Sequence, residues 1–514
     1  MHAKGKGDSV KWDDILAELE RKRTFARAMG GTEKLEKQRV AGKLDARQRA
    51  AALFDEGSFV ELGGLAGNLS EHGPAPAPSD ALVAGFGRVE GRPVLAGIED
   101  FTVLGGSIGD AAASKRHRLA QLARQERVPL VFMLEGAGHR LTNEHATPSP
   151  NDLQALAELS GLVPMVCLVM GASAGHGALT APLSDFVVMT EAAAMFVAGP
   201  PIVKAAIGES VSKEELGGPR VHVDVSGVAH NLVPDDARAI ALARRYLGYF
   251  PPNAWQAPPA SRDKGGGGDT LPRRLDAILD LIDPDPRIAF DIRPVLALLV
   301  DRDSLLEVQP SYGGSLVTAL ARLGGRSVAI VASNSAVGAG AVDTAAAQKA
   351  AHFMDVADAF HLPVVFLADN PGVLPGRASE KAGALRHAAR MFAVQHRLRV
   401  PKLHVTLRKA FGFGSSIMAM NPFDGQTLNL AFPAISLGSM PAASGAAAAG
   451  LDEAARRRAM AEQASGAWRL ADRMVYDDVI DPRELRNALL AGLELTAGRH
   501  PGPFAPRRAA GILP

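Results

Sequence analysis

The chain has 514 residues, of which 47% are apolar and 22% charged, with 56 Lys and Arg against 55 Asp and Glu for a formal net charge of +1, and its mean hydropathy is +0.04. That length allows two domains with separate cores, the balanced charge gives no general drive toward nucleic acid or an anionic membrane, and no apolar run of about 18 residues is there to span a bilayer. The lone Cys167 excludes an intrachain disulfide, and the start MHAKGKGDSVKWDD lacks the apolar stretch and cleavage site of a secretory leader, so a soluble, cytoplasmic protein is expected.

Trp12, Ile15, Leu16 and Leu19 fall at i, i+3, i+4 and i+7, which predicts an amphipathic packing helix within WDDILAELERKRTFARAM, ended by Gly30-Gly31. A second helical stretch over roughly 33–54 leads to the turn DEGSF, and LVAGFGRVEGRPVLAGIED then alternates as β structure around a Glu90-Gly91 turn. From 107 to 249 the pattern becomes helix, apolar strand, glycine turn and helix, which predicts βαβ crossovers around a buried sheet of parallel character. Within it the basic cluster Lys115, Arg116, His117 and Arg118 is expected on the solvated face of a helix, and Cys167, in an apolar strand, as a buried small hydrophobe. The segment PPNAWQAPPASRDKGGGGDT (251–270) reads as an interdomain linker. RLDAILDLI opens a second round that runs to about 440, the tail from Ala447 to about 494 is expected to be helical, and GRHPGPFAPRRAAGILP to be a loosely held end.

The second round repeats the first. Residues 106–138, ending VPLVFMLEGAG, match residues 340–372, ending LPVVFLADNPG, at an offset of 234 that relates Lys115 to Lys349, Pro129 to Pro363 and Gly138 to Gly372. Further on, VPMVCLVMGASAGHG parallels VPKLHVTLRKAFGFG at an offset of 237, which relates Pro164 to Pro401 and Gly175 to Gly412. Each copy ends in a glycine turn between a strand and a predicted helical segment: Gly175-His176-Gly177 in one, Gly412-Phe413-Gly414 in the other. Such a turn aims backbone N–H groups outward, and preorganised amides suit the negative charge that a thioester carbonyl develops as it becomes an enolate. Taken singly these are weak motifs that also fit ordinary strand-to-helix turns, and their recurrence at matched positions favours two anion sites.

GASAGHGALTAPLSDF, MFVAGPPIVKAAIGESVSKEELGGPRVHVDVSGVAH (195–230), LPVVFLADNPGVLPG and VTLRKAFGFG occur in an order that resembles the carboxyltransferase (beta) subunit of biotin-dependent acyl-CoA carboxylases of the propionyl-CoA and methylcrotonyl-CoA type. The likeness runs from about Lys43 to the end of the chain. It implies an α/β fold of two crotonase-like (ClpP/crotonase) ββα-superhelix domains, 1–255 on the acyl-CoA side and 256–514 on the carboxybiotin side, assembled as a homo-hexamer that is a trimer of dimers. It also implies that the amides of Gly175 and His176 hold the thioester enolate oxygen and those of Phe413 and Gly414 the ureido oxygen of biotin. Acyl-CoA is then the substrate. Biotin is brought by a biotin carboxylase or biotin carboxyl carrier partner, since the Met-Lys dipeptide of a carrier domain occurs nowhere here. Backbone donors suffice for this chemistry, in keeping with the lack of a Ser-His-Asp arrangement, a metal-ligand spacing or paired carboxylates in these motifs.

Several positions depart from the family pattern. Ala174-Gly175-His176 replaces Ala-Gly-Gly, so an imidazole either turns away while its amide acts, or enters the acyl pocket as a donor or a wall. Phe411-Gly412-Phe413-Gly414 replaces Tyr-Gly-Gly-Ala, Ser416 stands at an acyl-selecting position, and Glu135-Gly136-Ala137-Gly138-His139-Arg140 replaces Asp-Ser-Gly-Gly-Ala-Arg. Arg140 and Lys204 are expected to meet CoA phosphates or to remain plain surface charges, and Gly372 and Gly376 to lend the loop after Asp369 flexibility for biotin entry. The alternatives left open are a biotin-dependent acyl-CoA decarboxylase subunit and a non-catalytic scaffold paralogue.

Overall fold

A two-residue turn sets the first sheet: Glu90 (φ 50°) and Gly91 (φ 77°) both take left-handed backbone, which matches the twist of the strands they join, β2 (Leu82–Val89) and β3 (Arg92–Glu99). The preceding strand β1 (Val60–Leu62) pairs antiparallel with β2. β4 (Leu130–Leu134) and β5 (Met165–Val169) follow as parallel strands beside β3, because their runs LVFML and MVCLV are buried at every residue and tolerate cover on both faces. A short pair, β6 (Ala172–Ala174) and β8 (Ala194–Phe196), stands off the sheet, which continues through β7 (Phe186–Thr190) to β9 (Asn231–Val233) in the order β1-β2-β3-β4-β5-β7-β9.

The computed structural model describes residues 11–67, 77–140, 151–260, 269–464, 466–499, 503–506 and 512. The chain divides into two compact units, one of Met1–Leu159, Met165–Pro219 and Leu232–Arg244, the other of Ser160–Pro164, Arg220–Asn231 and Arg245–Pro514. In the second unit β10 (Leu306–Val308), β11 (Leu316–Leu323) and β12 (Arg326–Ser333) are antiparallel. β13 (Val364–Asn370), β14 (Lys402–Phe411), β15 (Leu428–Ala431) and β17 (Asp478–Val479) extend the sheet in parallel, and β16 (Ser436–Gly438) pairs with the end of β14. The expected duplication is built in three dimensions: β11, β12, the helix Thr344–Ala359 and β13 each start 234 residues after β2, β3, the helix Asp110–Glu126 and β4, and β14 starts 237 after β5.

Five expectations are corrected. The packing helix forms as Trp12–Arg27, but only Ala26 is buried, and Trp12 (74%) and Leu16 (53%) are exposed. The second stretch is two helices, Thr32–Val40 and Ala46–Leu53, because Gly42 (φ 74°) ends one and the Asp45–Gln48 capping box starts the other. The linker is packed where it is described: Ala254 donates its N–H to Leu162 O (2.9 Å) and accepts from His361 (2.7 Å), while 261–268 lie outside the described residues. The described part of the chain end is held too, with Ile512 buried and its N–H donated to Ser160 Oγ (2.8 Å).

The fifth concerns the basic cluster, of which only Arg118 is exposed. Lys115 and Arg116 lie on the same helical face as Ala112 and Leu119 and carry their charge inward, where partners wait. Lys115 donates to the carbonyls of Ser79 (2.7 Å) and Leu82 (2.8 Å), and Arg116 pairs with Asp152 (2.6 Å) and Glu99 (3.2 Å). Cys167 is buried as expected, and burial pushes its thiol pKa up. The duplicate of Lys115 is Lys349, which donates to Gln309 O (3.2 Å), and burial lowers its pKa from 10.5 to about 7. Between those values the unfolded chain binds a proton that the folded chain does not, so this group makes stability rise with pH across the window. Replacing Lys349 by Met removes that component. The urea midpoint of the variant is expected to rise less between pH 7 and pH 9.5 than that of the parent.

Candidate functional site

The same turn closes both repeats. Beyond β6 and β14 the backbone reaches Gly175 (φ 59°) and Gly412 (φ 53°), left-handed conformations that glycine adopts without strain. Each glycine donates its N–H to a parallel neighbour, Gly175 to Phe196 O (3.0 Å) and Gly412 to Gly438 O (2.9 Å). The chain then turns back on itself, Leu179 N–H to Gly175 O (3.3 Å) and Ser415 N–H to Gly412 O (3.2 Å). The two amides inside each turn, His176 and Gly177 in one unit and Phe413 and Gly414 in the other, bond to no described residue. The structure therefore corrects one expected donor: the Gly175 amide is spent inside the strand pair, and the equivalents of Phe413 and Gly414 are His176 and Gly177.

Neighbouring glycines brace these turns. Gly138 (φ 83°) and Gly372 (φ 122°) sit at equivalent crossings, their carbonyls accepting from Ile108 (2.8 Å) and Val342 (3.0 Å). A Cβ on Gly138 would stand 2.7 Å from Ala174 O, so that loop packs on the first turn. A Cβ on Gly414 would stand 2.2 Å from Asn370 Oδ1 and 2.6 Å from Gly372 Cα, so Gly372 lies against the second. Gly376 (φ 124°) precedes the helix Arg377–Lys381 with open space around it. The Arg140 guanidinium is engaged by Asp80 (2.7 Å) and by the hydroxyl (3.1 Å) and carbonyl (3.0 Å) of Ser107. Lys204, on the exposed helix Pro200–Ile207, has no ion pair among the described residues. Ser416 uses its hydroxyl on Asn421 Oδ1 (3.1 Å), and Phe413 is 45% exposed with its ring against Phe392 (5.4 Å between centroids).

Sequence reasoning missed the side chains behind the first turn. His176 Nε2 is hydrogen-bonded to Asp152 Oδ1, and Arg116 holds the other oxygen of that carboxylate (2.6 Å) while reaching Glu99 (3.2 Å) and Thr180. Burial works against the Asp152 charge, but the His176 bond and the Arg116 guanidinium hold its carboxyl well below the usual range. The His139 ring lies 4.5 Å from that of His176, and burial, with the neighbouring imidazole, lowers its pKa. Asp152 and Arg116 carry no motif and come from different helices, so only their meeting in space reveals them. In the second unit the corresponding strand end holds the buried Asp369, paired with Arg408 at 2.7 Å.

A carboxyl transferase domain model matches residues 37–510. The chain belongs to the carboxyl transferase family. It is 35% identical over 499 residues to the methylmalonyl-CoA carboxyltransferase 12S subunit of Propionibacterium freudenreichii subsp. shermanii, covering 94% of each chain. It is 33% identical to the methylmalonyl-CoA decarboxylase subunit alpha of Veillonella parvula, covering 94% of this chain and 95% of that one. Among solved structures it superposes on transcarboxylase 12S, described as a hexamer with methylmalonyl-CoA and methylmalonic acid bound, with a TM-score of 0.89 at 32% identity over 98% of this chain and all of that one. The two units are thus the crotonase-like α/β fold that the resemblance implied, and this family member is an acyl-CoA carboxyltransferase.

The turn geometry separates two otherwise similar substitutions. In this carboxyltransferase Gly414→Ala forces the second turn or Asn370 to shift, and activity should fall about a hundredfold or more in a carboxyl-transfer assay, as when an oxyanion donor is displaced. Gly177→Ala meets nothing closer than Glu99 Oε1 at 3.3 Å and should stay within a few-fold of the parent. Removing Arg140 takes from the buried Asp80 its ion-pair partner among the described residues and leaves it the Ala112 N–H, so Arg140→Ala should lower stability by about 3 kcal/mol, read as a lower thermal midpoint.

Proposed function

We propose that the free amides of His176 and Gly177 hold the oxygen of an acyl-CoA thioester, and that those of Phe413 and Gly414 hold the ureido oxygen of biotin carried by a biotin carboxylase or biotin carboxyl carrier partner. The observation that carries this reading is the repeated turn, which leaves the same two amides free in each half. On it, residues 1–255 form the acyl-CoA side and 256–514 the carboxybiotin side. An amide already fixed toward the thioester oxygen needs no reorganisation as negative charge gathers there, and each such donor is worth about 3 kcal/mol to the enolate. The turns are held from below by hydrogen bonds that do not involve substrate, so their geometry precedes binding.

The second turn fits a neutral ureido carbonyl, since it offers two amide donors beside an exposed aromatic ring and no carboxylate oxygen bonded to either amide. Carboxybiotin, when bound, supplies the carboxyl group and accepts the α-proton. On this reading Phe413 contributes its backbone amide, so its change from the family glycine leaves the donor in place. Assembly as a homo-hexamer, a trimer of dimers, and a cytoplasmic location belong to the same proposal. No described helix is long and apolar enough to cross a membrane.

The test is the reverse reaction. Purified protein with malonyl-, methylmalonyl-, ethylmalonyl- or methylglutaconyl-CoA should lose the carboxylate from at least one of them at a rate that free biotin raises. A folded protein that binds the thioesters and shows no biotin-stimulated loss from any of them would count against the two-hole reading.

A further inference from the structure

We propose that His176 and Asp152 form an acid–base pair that removes and returns the α-proton of a bound acyl-CoA without biotin, an activity additional to carboxyl transfer. The inference rests on the reading that the first turn holds the thioester oxygen.

Four observations on one unit carry it. The Asp152 carboxylate is buried and doubly engaged, by His176 on one oxygen and Arg116 on the other, so it stays ionised and only accepts. His176 Nε2 is then the donor to that oxygen, so in the tautomer this bond selects the lone pair lies on Nδ1. Nδ1 bonds to no described residue, and the His176 side chain is 19% exposed whereas that of Asp152 is 2%. Covalent geometry keeps Nδ1 within about 5 Å of the residue's own amide nitrogen, and that amide is one of the two free donors. Base and oxyanion donor are therefore delivered by a single residue to one place. His139 packs beside the pair, and burial favours its neutral form.

The step balances within the site. Nδ1 takes the α-proton, the C–H electron pair becomes the enolate double bond, and the thioester oxygen takes the negative charge at the His176 and Gly177 amides. The imidazolium so formed is neutralised by Asp152 and returns a proton to the same carbon. His176 is the catalytic residue of this exchange, and Asp152 is a positioning residue that fixes its tautomer and ring.

The full-length protein is incubated without biotin in deuterium oxide with acetyl-CoA or propionyl-CoA, and deuterium at the α-carbon is followed by mass spectrometry, with thioester binding measured by calorimetry in parallel. Exchange at least about a hundredfold above buffer, lost in His176→Gly, is the expected result. Should that variant fail to fold, His176→Gln carries the comparison. Asp152→Asn should slow exchange at saturating thioester with little change in KM. Thioester binding without exchange overturns the acid–base pair and leaves the carboxyl-transfer reading standing, and exchange that persists in a folded His176 variant overturns it as well. No thioester binding overturns both.

Discussion

The two glycine turns depend on one hydrogen bond made twice. At the end of a strand a glycine in the left-handed region gives its N–H to the neighbouring strand, Gly175 to Phe196 and Gly412 to Gly438. That bond fixes where the chain reverses, and the reversal leaves the next two amides with no acceptor among the described residues. Amides held in fixed directions without a protein acceptor are suited to a ligand oxygen. The device recurs 237 residues apart, so the fold leaves the same two amides without a described acceptor in each repeat.

The two sites have since diverged in what stands behind them. Behind the first lies a chain of buried charge, His176 to Asp152 to Arg116 to Glu99, with Arg116 also stacked over Phe132 at 4.7 Å. Behind the second lies the simpler pair Asp369–Arg408, whose guanidinium is further held by the carbonyls of Asp283, Asp285 and Ile288. Breaking either buried pair would strand a charge, which ties turn geometry to the stability of each unit. A turn with a histidine and its carboxylate can handle protons, whereas one flanked by an exposed phenylalanine offers contact area and backbone donors.

Much of the fold was legible because the signals were local. Fully apolar five-residue runs announce parallel strands, the Glu90-Gly91 turn announces a hairpin, and internal repetition at 234 pairs the helix Asp110–Glu126 and β4 with their second-round counterparts before any coordinate is known. Two of the failures share one cause, which is that charge and polarity were read as exposure. Lys115 and Arg116 look like a solvated face until the carbonyls and carboxylates that receive them are seen. The Pro- and Gly-rich segment after 250 looks like a free connector until Ala254 is found bonded on both sides. Trp12 and Leu16 fail the other way, an apolar stripe with correct period that this chain alone does not cover.

By itself the sequence determined the duplication, the α/β character, the family and the positions of the two glycine turns, because each depends on residue order and on backbone freedom that only glycine has. Tertiary structure decided which amides are free and which side chains back them. A hydrogen bond from Gly175 to a strand 21 residues later shifts the first donor pair by one position, and Asp152 meets His176 only because two separate segments fold against Arg116. Those are pairings between distant parts of the chain, which no local pattern encodes.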